Sequence, residues 1–185
     1  MMRRHKTQRG FSLLELMAAV SVTGILLAVG VPSFQSTLLK ARATSLADSL
    51  IAAVYFVRSE AISRNTRISL CASADGSTCE VGASSWNSGW IAIDTADTVI
   101  KIWNINATNS QVELLNLGTP IVNVSQHRLV YNALGDATMQ DTAGAAVSAT
   151  IGFTTKVVGC AGTDQQRKLA INASGRLVVS REDCT

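Results

Sequence analysis

The chain is poor in the groups that chemistry usually needs. It has two histidines and two prolines in 185 residues, and aromatic residues make up only 5%. His5 lies in a basic leader, which leaves His127 as the single histidine beyond it. No G-x-S-x-G surrounds any serine, so a Ser-His-Asp hydrolase is excluded on pattern. No GK[S/T] phosphate loop and no H-E-x-x-H helix occurs. Charged residues are scarce at 16% and hydrophobic ones reach 47%, which excludes a disordered chain. The formal net charge of +3 is too small for a protein that coats nucleic acid. With 13 glycines but so little proline, collagenous and Pro-rich linker readings fail as well. The length fits one domain with an appendage.

What is present is concentrated at the start. Residues 1–10 read MMRRHKTQRG, with Arg3, Arg4, Lys6 and Arg9 and no acid. The next 21 residues, Phe11 to Val31, are apolar apart from one charge, Glu15. A helix of that length spans a hydrocarbon core of about 30 Å. The basic flank orients it with the leader cytoplasmic and the remainder outside. A secretory signal has a shorter apolar core and a small-residue cut site on its far side. Glu15 is the unexpected residue, because a carboxylate deep in a membrane segment costs about 2.5–3.5 kcal/mol and calls for a partner.

Gly10-Phe11-Ser12-Leu13-Leu14-Glu15-Leu16 resembles the prepilin cleavage motif of type IV pilins and type II secretion pseudopilins, and Pro32 stands where that family usually has proline. The resemblance implies cleavage after Gly10 by prepilin peptidase and N-methylation of Phe11. It also implies packing of the N-terminal helix into a filament core, with Glu15 pairing to the amine that cleavage frees on Phe11 or to that of a neighbouring copy or homologue. The expected partners are other minor pilins and the major pilin, or pseudopilins, with the inner-membrane assembly platform and membrane lipid. No cofactor and no metal is expected.

Beyond Pro32, which should bend or loosen the helix, Leu39, Ala43, Leu46, Leu50, Val54, Val57 and Ala61 form an amphipathic stripe at spacings of three and four. The stripe is expected to lie against a globular head. A helix over residues 11–64, with 11–31 in the membrane, would be about 80 Å long. From residue 65 to 185 the pattern is short β-like runs: Arg67–Ala72, Trp90–Asp94, Val99–Trp103, Val112–Leu115, Arg128–Tyr131, Thr150–Thr154, Lys168–Asn172 and Leu177–Ser180. Residues 141–149 read as the least ordered loop. The fold class is α+β, a long N-terminal helix on an antiparallel β-sandwich-like head. Arg58 to Asn65, Trp86-Asn87-Ser88-Gly89-Trp90, Tyr131 to Ala137 and Asn172 to Arg176, in that order, resemble the GspH/FimT family of minor pilins and H-type pseudopilins. Arg58 and Glu60 are expected to hold the helix end to the sheet, and Gly89, Gly135 and Gly175 to make turns.

The four cysteines, Cys71, Cys79, Cys160 and Cys184, all fall in the part expected outside the membrane, where disulfides persist. Three pairings exist, and Cys71–Cys79 with Cys160–Cys184 is favoured because each closes a short local loop. Zinc ligation competes, but the intervening spacings of 7, 80 and 23 contain no C-x-x-C pair. Some relatives implied by the resemblance bind DNA through a basic Gly-Arg-x-Arg stretch. Here Gly175-Arg176-Leu177-Val178 lacks the second arginine, and Arg167, Lys168, Arg176 and Arg181, with Lys156 nearby, would have to converge to contact DNA. Without residues 1–10 the chain holds 12 Lys+Arg against 13 Asp+Glu, so the positive excess belongs to the leader.

Overall fold

A computed structural model describes residues 12–80, 85–104, 110–116, 126–141, 143–148 and 151–184. The expected cleavage pair Gly10 and Phe11 lies outside these residues, as does the side chain of Pro32. The chain divides into two compact units, Met1–Leu38 and Leu39–Thr185. One helix, α1 (Leu13–Ser63), contributes residues to both.

In the second unit α1 buries Ala43, Leu46, Ala47, Leu50, Ala53, Val54, Val57 and Ala61. This is the expected stripe, except that Leu39 is only half-buried. The four alanines let the helix approach the sheets closely, while each buried Leu or Val contributes about 1.5–3 kcal/mol. The helix stops in a Schellman motif: the amide of Asn65 donates to Ile62 O (3.2 Å) and that of Thr66 to Ala61 O (3.1 Å). Asn65 takes the left-handed conformation this needs (φ +51°), which Asn tolerates better than most residues.

Ten strands follow: β1 (Ile68–Ala72), β2 (Gly89–Ile93), β3 (Val99–Asn104), β4 (Ser110–Asn116), β5 (Gln126–Tyr131), β6 (Ala137–Asp141), β7 (Ala146–Ser148), β8 (Ile151–Val157), β9 (Gln166–Ile171) and β10 (Leu177–Glu182). A 3₁₀ turn, Ser85–Asn87, precedes β2. They form a six-stranded sheet, β3-β2-β1-β5-β6-β7, and a four-stranded sheet, β10-β9-β8-β4. The strand pairs are antiparallel. All eight expected runs are strands, with ends shifted by a few residues. The reading of 141–149 as loop is corrected, since β7 lies within it and pairs with β6.

The core gathers the α1 stripe with Ile68, Leu70, Trp86, Trp90, Leu129, Tyr131, Phe153, Leu169 and Ile171 from both sheets. Trp86 meets Phe153 edge-on, with ring centroids 5.0 Å apart. A smaller cluster, Cys71, Ile91 and Ile93 with Cys79 and Val99, lies on the opposite face of the six-stranded sheet, since strand neighbours alternate faces. The Cys71–Cys79 disulfide (Cα–Cα 5.5 Å) closes the loop beside it. That loop is organised by Asp75, which accepts hydrogen bonds from Ser77 Oγ (2.7 Å), Ser77 N (2.8 Å), Thr78 N (2.8 Å) and Thr78 Oγ1 (2.8 Å). These donors, led by the Ser77 hydroxyl, hold its carboxyl far below the ordinary carboxylate range.

One turn design recurs in four hairpins, Asp94–Thr98, Asn132–Asp136, Asp141–Ala145 and Asn172–Arg176. In each, the first residue's amide donates to the fifth carbonyl and the fourth amide donates to the first carbonyl. The first side chain also accepts the fifth amide, at 2.9–3.0 Å. The fourth residue, Asp97, Gly135, Gly144 or Gly175, has positive φ. This is a type I turn closed by a left-handed residue.

The Cys160–Cys184 disulfide (Cα–Cα 6.0 Å) ties the chain after β10 to the β8–β9 loop. Replacing both cysteines by serine is expected to lower stability by about 3 kcal/mol, the chain-entropy value for a loop of this size. Urea unfolding monitored by circular dichroism checks this, and an unchanged midpoint would refute it.

Candidate assembly site

Ser12 caps the start of α1: its Oγ accepts the amide of Glu15 (3.2 Å), and its carbonyl accepts the amide of Leu16 (3.1 Å). Ser12-x-x-Glu15 is thus the first half of a capping box, and Glu15 sits where a negative charge meets the positive end of the helix dipole. Sequence reading assigned Glu15 a partner but missed this local role, which the S-x-x-E spacing signals.

From Leu13 to Leu27 the helix is apolar on every face. Leu13, Leu14, Leu16, Met17, Val20, Val22, Ile25, Leu26 and Leu27 are all exposed, Leu14 the most at 81%. A helix that is hydrophobic all round belongs in an apolar surrounding rather than against one core. Its hydroxyls are already satisfied. Ser21 Oγ donates to Met17 O and Thr23 Oγ1 to Ala19 O, both at 2.8 Å. Glu15 is the one charged residue of the run. Among the described residues no helix is long and apolar enough to cross a membrane. Phe11 and the side chains of residues 29–31, which complete the run in the sequence, are outside them.

In the head, three of the four stretches that carried the family resemblance, those around Arg58, Tyr131–Ala137 and Asn172–Arg176, meet in one junction. Arg58 Nη1 donates to Gly175 O (3.1 Å) and Nη2 to Ser174 O (3.3 Å), joining α1 to the β9–β10 turn. The amide of Ala137 donates to Ala173 O (2.9 Å), joining that turn to β6. Tyr131 Oη approaches Gly175 O at 3.5 Å. Arg58 therefore does what was expected of it. Glu60 does not, since it pairs with Arg64 one turn on (2.6 Å) instead of reaching the sheet.

Burial pushes the Tyr131 hydroxyl up to about 12. The unfolded chain loses this proton near 10 and the folded one near 12, so the unfolded state holds fewer protons between these values and stability falls there. Tyr131→Phe is expected to remove that part of the alkaline loss, which thermal melts at stepped pH would register. An identical alkaline slope in the variant would contradict it.

The basic residues that would have to converge for contact with DNA are not brought to one face. Arg167 is buried, with 8% exposure, and its guanidinium donates to Asp164 O (2.7 Å), Gln166 O (3.0 Å) and Thr44 Oγ1 (3.1 Å). Lys168 pairs with Glu182 (3.2 Å). Arg176 and Arg181 are exposed, but strand alternation puts them on opposite faces of the sheet. Among the described residues no cluster of His, Cys, Asp or Glu is suited to a metal ion.

Comparison with known proteins matches residues 46–175 to the family model described as Type II transport protein GspH, and residues 5–31 to the prokaryotic N-terminal methylation motif. A curated relative, Prepilin peptidase-dependent protein D of Escherichia coli (strain K12), is 33% identical over 78 residues, which cover 41% of this chain. The match spans only 46% of that relative's length. Among solved structures, the type IV minor pilin FimU of Pseudomonas aeruginosa (strain PAO1) aligns in two crystal forms. These have TM-scores of 0.46 and 0.49 and 19% and 18% identity, covering 74% and 76% of this chain and 91% and 89% of that one. The minor pseudopilin EpsH of the Vibrio cholerae Type 2 Secretion System aligns with a TM-score of 0.44 and 15% identity, over 75% of this chain and 96% of that one. The family is structural rather than enzymatic, and membership implies inner-membrane anchoring through the N-terminal helix with the head in the periplasm. The chain belongs to the GspH family: it is a type IV pilin-like minor pilin or pseudopilin bearing an N-terminal methylation motif.

Proposed function

We propose that this chain is a minor pilin of the tip or priming complex of a type IV pilus. It is cleaved between Gly10 and Phe11, methylated on the new Phe11 amine, and joined to its neighbours through α1. The observation that carries this reading is the exposed segment from Leu13 to Leu27, apolar on every face, with Glu15 in its first turn. Apolar burial among neighbouring helices supplies the cohesion. Glu15 against a neighbour's N-terminal amine sets the register, and Pro32 gives the helix a point at which to yield. Its partners are then prepilin peptidase, other minor pilins and the major pilin, the inner-membrane assembly platform and membrane lipid. The two disulfides fit a periplasmic head.

A second reading, an H-type pseudopilin of a type II secretion system, is favoured by the description of the matched family itself. Deleting the gene in its native host and restoring the full chain separates the two. The pilus reading expects loss of surface pili and twitching with protein secretion intact. Loss of secretion with pili intact transfers the function to the second reading, and a deletion that alters neither overturns both.

A further inference from the structure

Among the described residues, the last strand of the head, β10, is an edge of the four-stranded sheet with no strand paired on its outer side. β10 pairs with β9 in an unbroken register from Leu177↔Ile171 to Glu182↔Gln166. The pairs β2–β3, β5–β6 and β6–β7 each carry a register shift, the kind of irregularity that spoils an edge as a template. β10 has no such bulge and no proline. Val178 to Arg181 are all exposed, with Val178 at 54% and Val179 at 42%, so an apolar side chain is open on each face of one edge strand. Its outward backbone groups take no hydrogen bond among the described residues.

The charges around it are asymmetric. Arg176 precedes the strand and Arg181 lies near its end, both exposed and without an ionic partner among the described residues. The neighbouring acids are committed, Glu182 to Lys168 (3.2 Å) and Asp183 to the amide of Asp164 (3.0 Å). Register places Val179 and Arg181 on the face of Leu169 and Arg167, and Val178 on the face of Lys168 and Ala170. Arg176 shares the face of Val178 by alternation. The edge therefore offers an apolar centre bracketed by two cations, one on each face.

We propose that β10 is an interaction edge that takes an extended, acid-flanked apolar segment of a partner protein as an added antiparallel strand. Main-chain hydrogen bonds supply the affinity and alternate side chains the specificity. The two arginines fix the register, because a slip of one residue turns every side chain of the incoming strand to the wrong face. A nucleic acid is the weaker occupant. Two arginines on opposite faces, with Arg167 buried and Lys168 paired, do not make the run of phosphate contacts such binding needs.

The test uses the full chain in detergent micelles and two fluorescein-labelled peptides, ETVVVE and KTVVVK. The acidic peptide is expected to bind roughly tenfold tighter, from two opposite-charge pairs gained against two like-charge pairs. The R176E/R181E variant should invert that preference while keeping its circular dichroism spectrum. Hydrogen exchange of the unaltered chain should show the amides of residues 177–182 slowing when ETVVVE is added, a readout that needs no variant. Binding of neither peptide, equal binding of both, protection confined to other strands, or a DNA duplex that binds where both peptides fail would each overturn the proposal.

Discussion

Gly175→Ala is expected to destabilise the head by about 3–5 kcal/mol, while Gly144→Ala, a chemically identical change, costs only about 1–2 kcal/mol. Both glycines occupy the fourth position of the same turn design, with φ of +72° and +82°. The left-handed penalty for an alanine is therefore common to both. Their surroundings are not. A Cβ on Gly175 would run into the carbonyl oxygen of Gly135 and lie 2.8 Å from Tyr131 Cε1, whereas a Cβ on Gly144 has nothing within 4 Å among the described residues. The Gly135 oxygen is backbone inside the neighbouring turn, so it yields only by parting the β5–β6 and β9–β10 hairpins. That movement also strains the Arg58 and Ala137 hydrogen bonds that hold the junction. Urea unfolding of the two variants side by side measures the difference. Equal losses would mean that the junction is not the tight contact described.

Glu15→Ala is expected to leave insertion and cleavage intact and to reduce incorporation into the assembly tenfold or more. Removing the charge makes the segment more apolar, so insertion does not suffer. The segment's hydroxyls are satisfied within the helix, which leaves the carboxylate as the group that needs something from a neighbour. If an amine supplies that need, losing the carboxylate leaves the amine unpaired in an apolar surrounding, at a cost of a few kcal/mol. Ser12→Ala is the informative companion. It removes the hydroxyl that accepts the Glu15 amide but keeps the carboxylate, so it should fray the first turn with a much smaller effect on incorporation. Immunoblotting of sheared filaments or secretion assemblies against the membrane fraction reads both variants. Wild-type incorporation of Glu15→Ala would refute the pairing.

The helix was legible in the sequence because its two halves follow two simple rules, an unbroken apolar run and a stripe at spacings of three and four. Its end was legible too, since Asn65 is a residue that accepts the left-handed conformation. The strands rich in Val and Ile were found for the same reason. β6 and β7 were not, because Ala137-Thr138-Met139-Gln140-Asp141 alternates without a β-branched run and β7 is three residues long. They exist because the Asp141–Ala145 turn and the neighbour β5 impose them. The four Asx-headed turns share positions rather than residues, Asp or Asn first and Gly or Asp fourth, so no repeat is visible in the letters. Arg167 was misread as a surface cation because charge normally means exposure. Two of the oxygens it donates to are local, those of Asp164 and Gln166, but the third is Thr44 Oγ1, 123 residues away in sequence, which no local pattern signals. The glycines of the Tyr131–Ala137 and Asn172–Arg176 motifs were rightly read as turns. That the two turns press on each other is a tertiary fact without a local signal.

The central claim is that residues 1–10 are a leader and that the functional chain begins with an N-terminal amine placed four residues before Glu15. Intact-mass and N-terminal peptide mass spectrometry of the protein purified from its native host tests it directly. The account predicts a chain that starts at Phe11, carries one added methyl group on that amine, and lacks all four leader cations. A chain that begins at Met1 or Met2, or that is cut anywhere beyond Glu15, would contradict it.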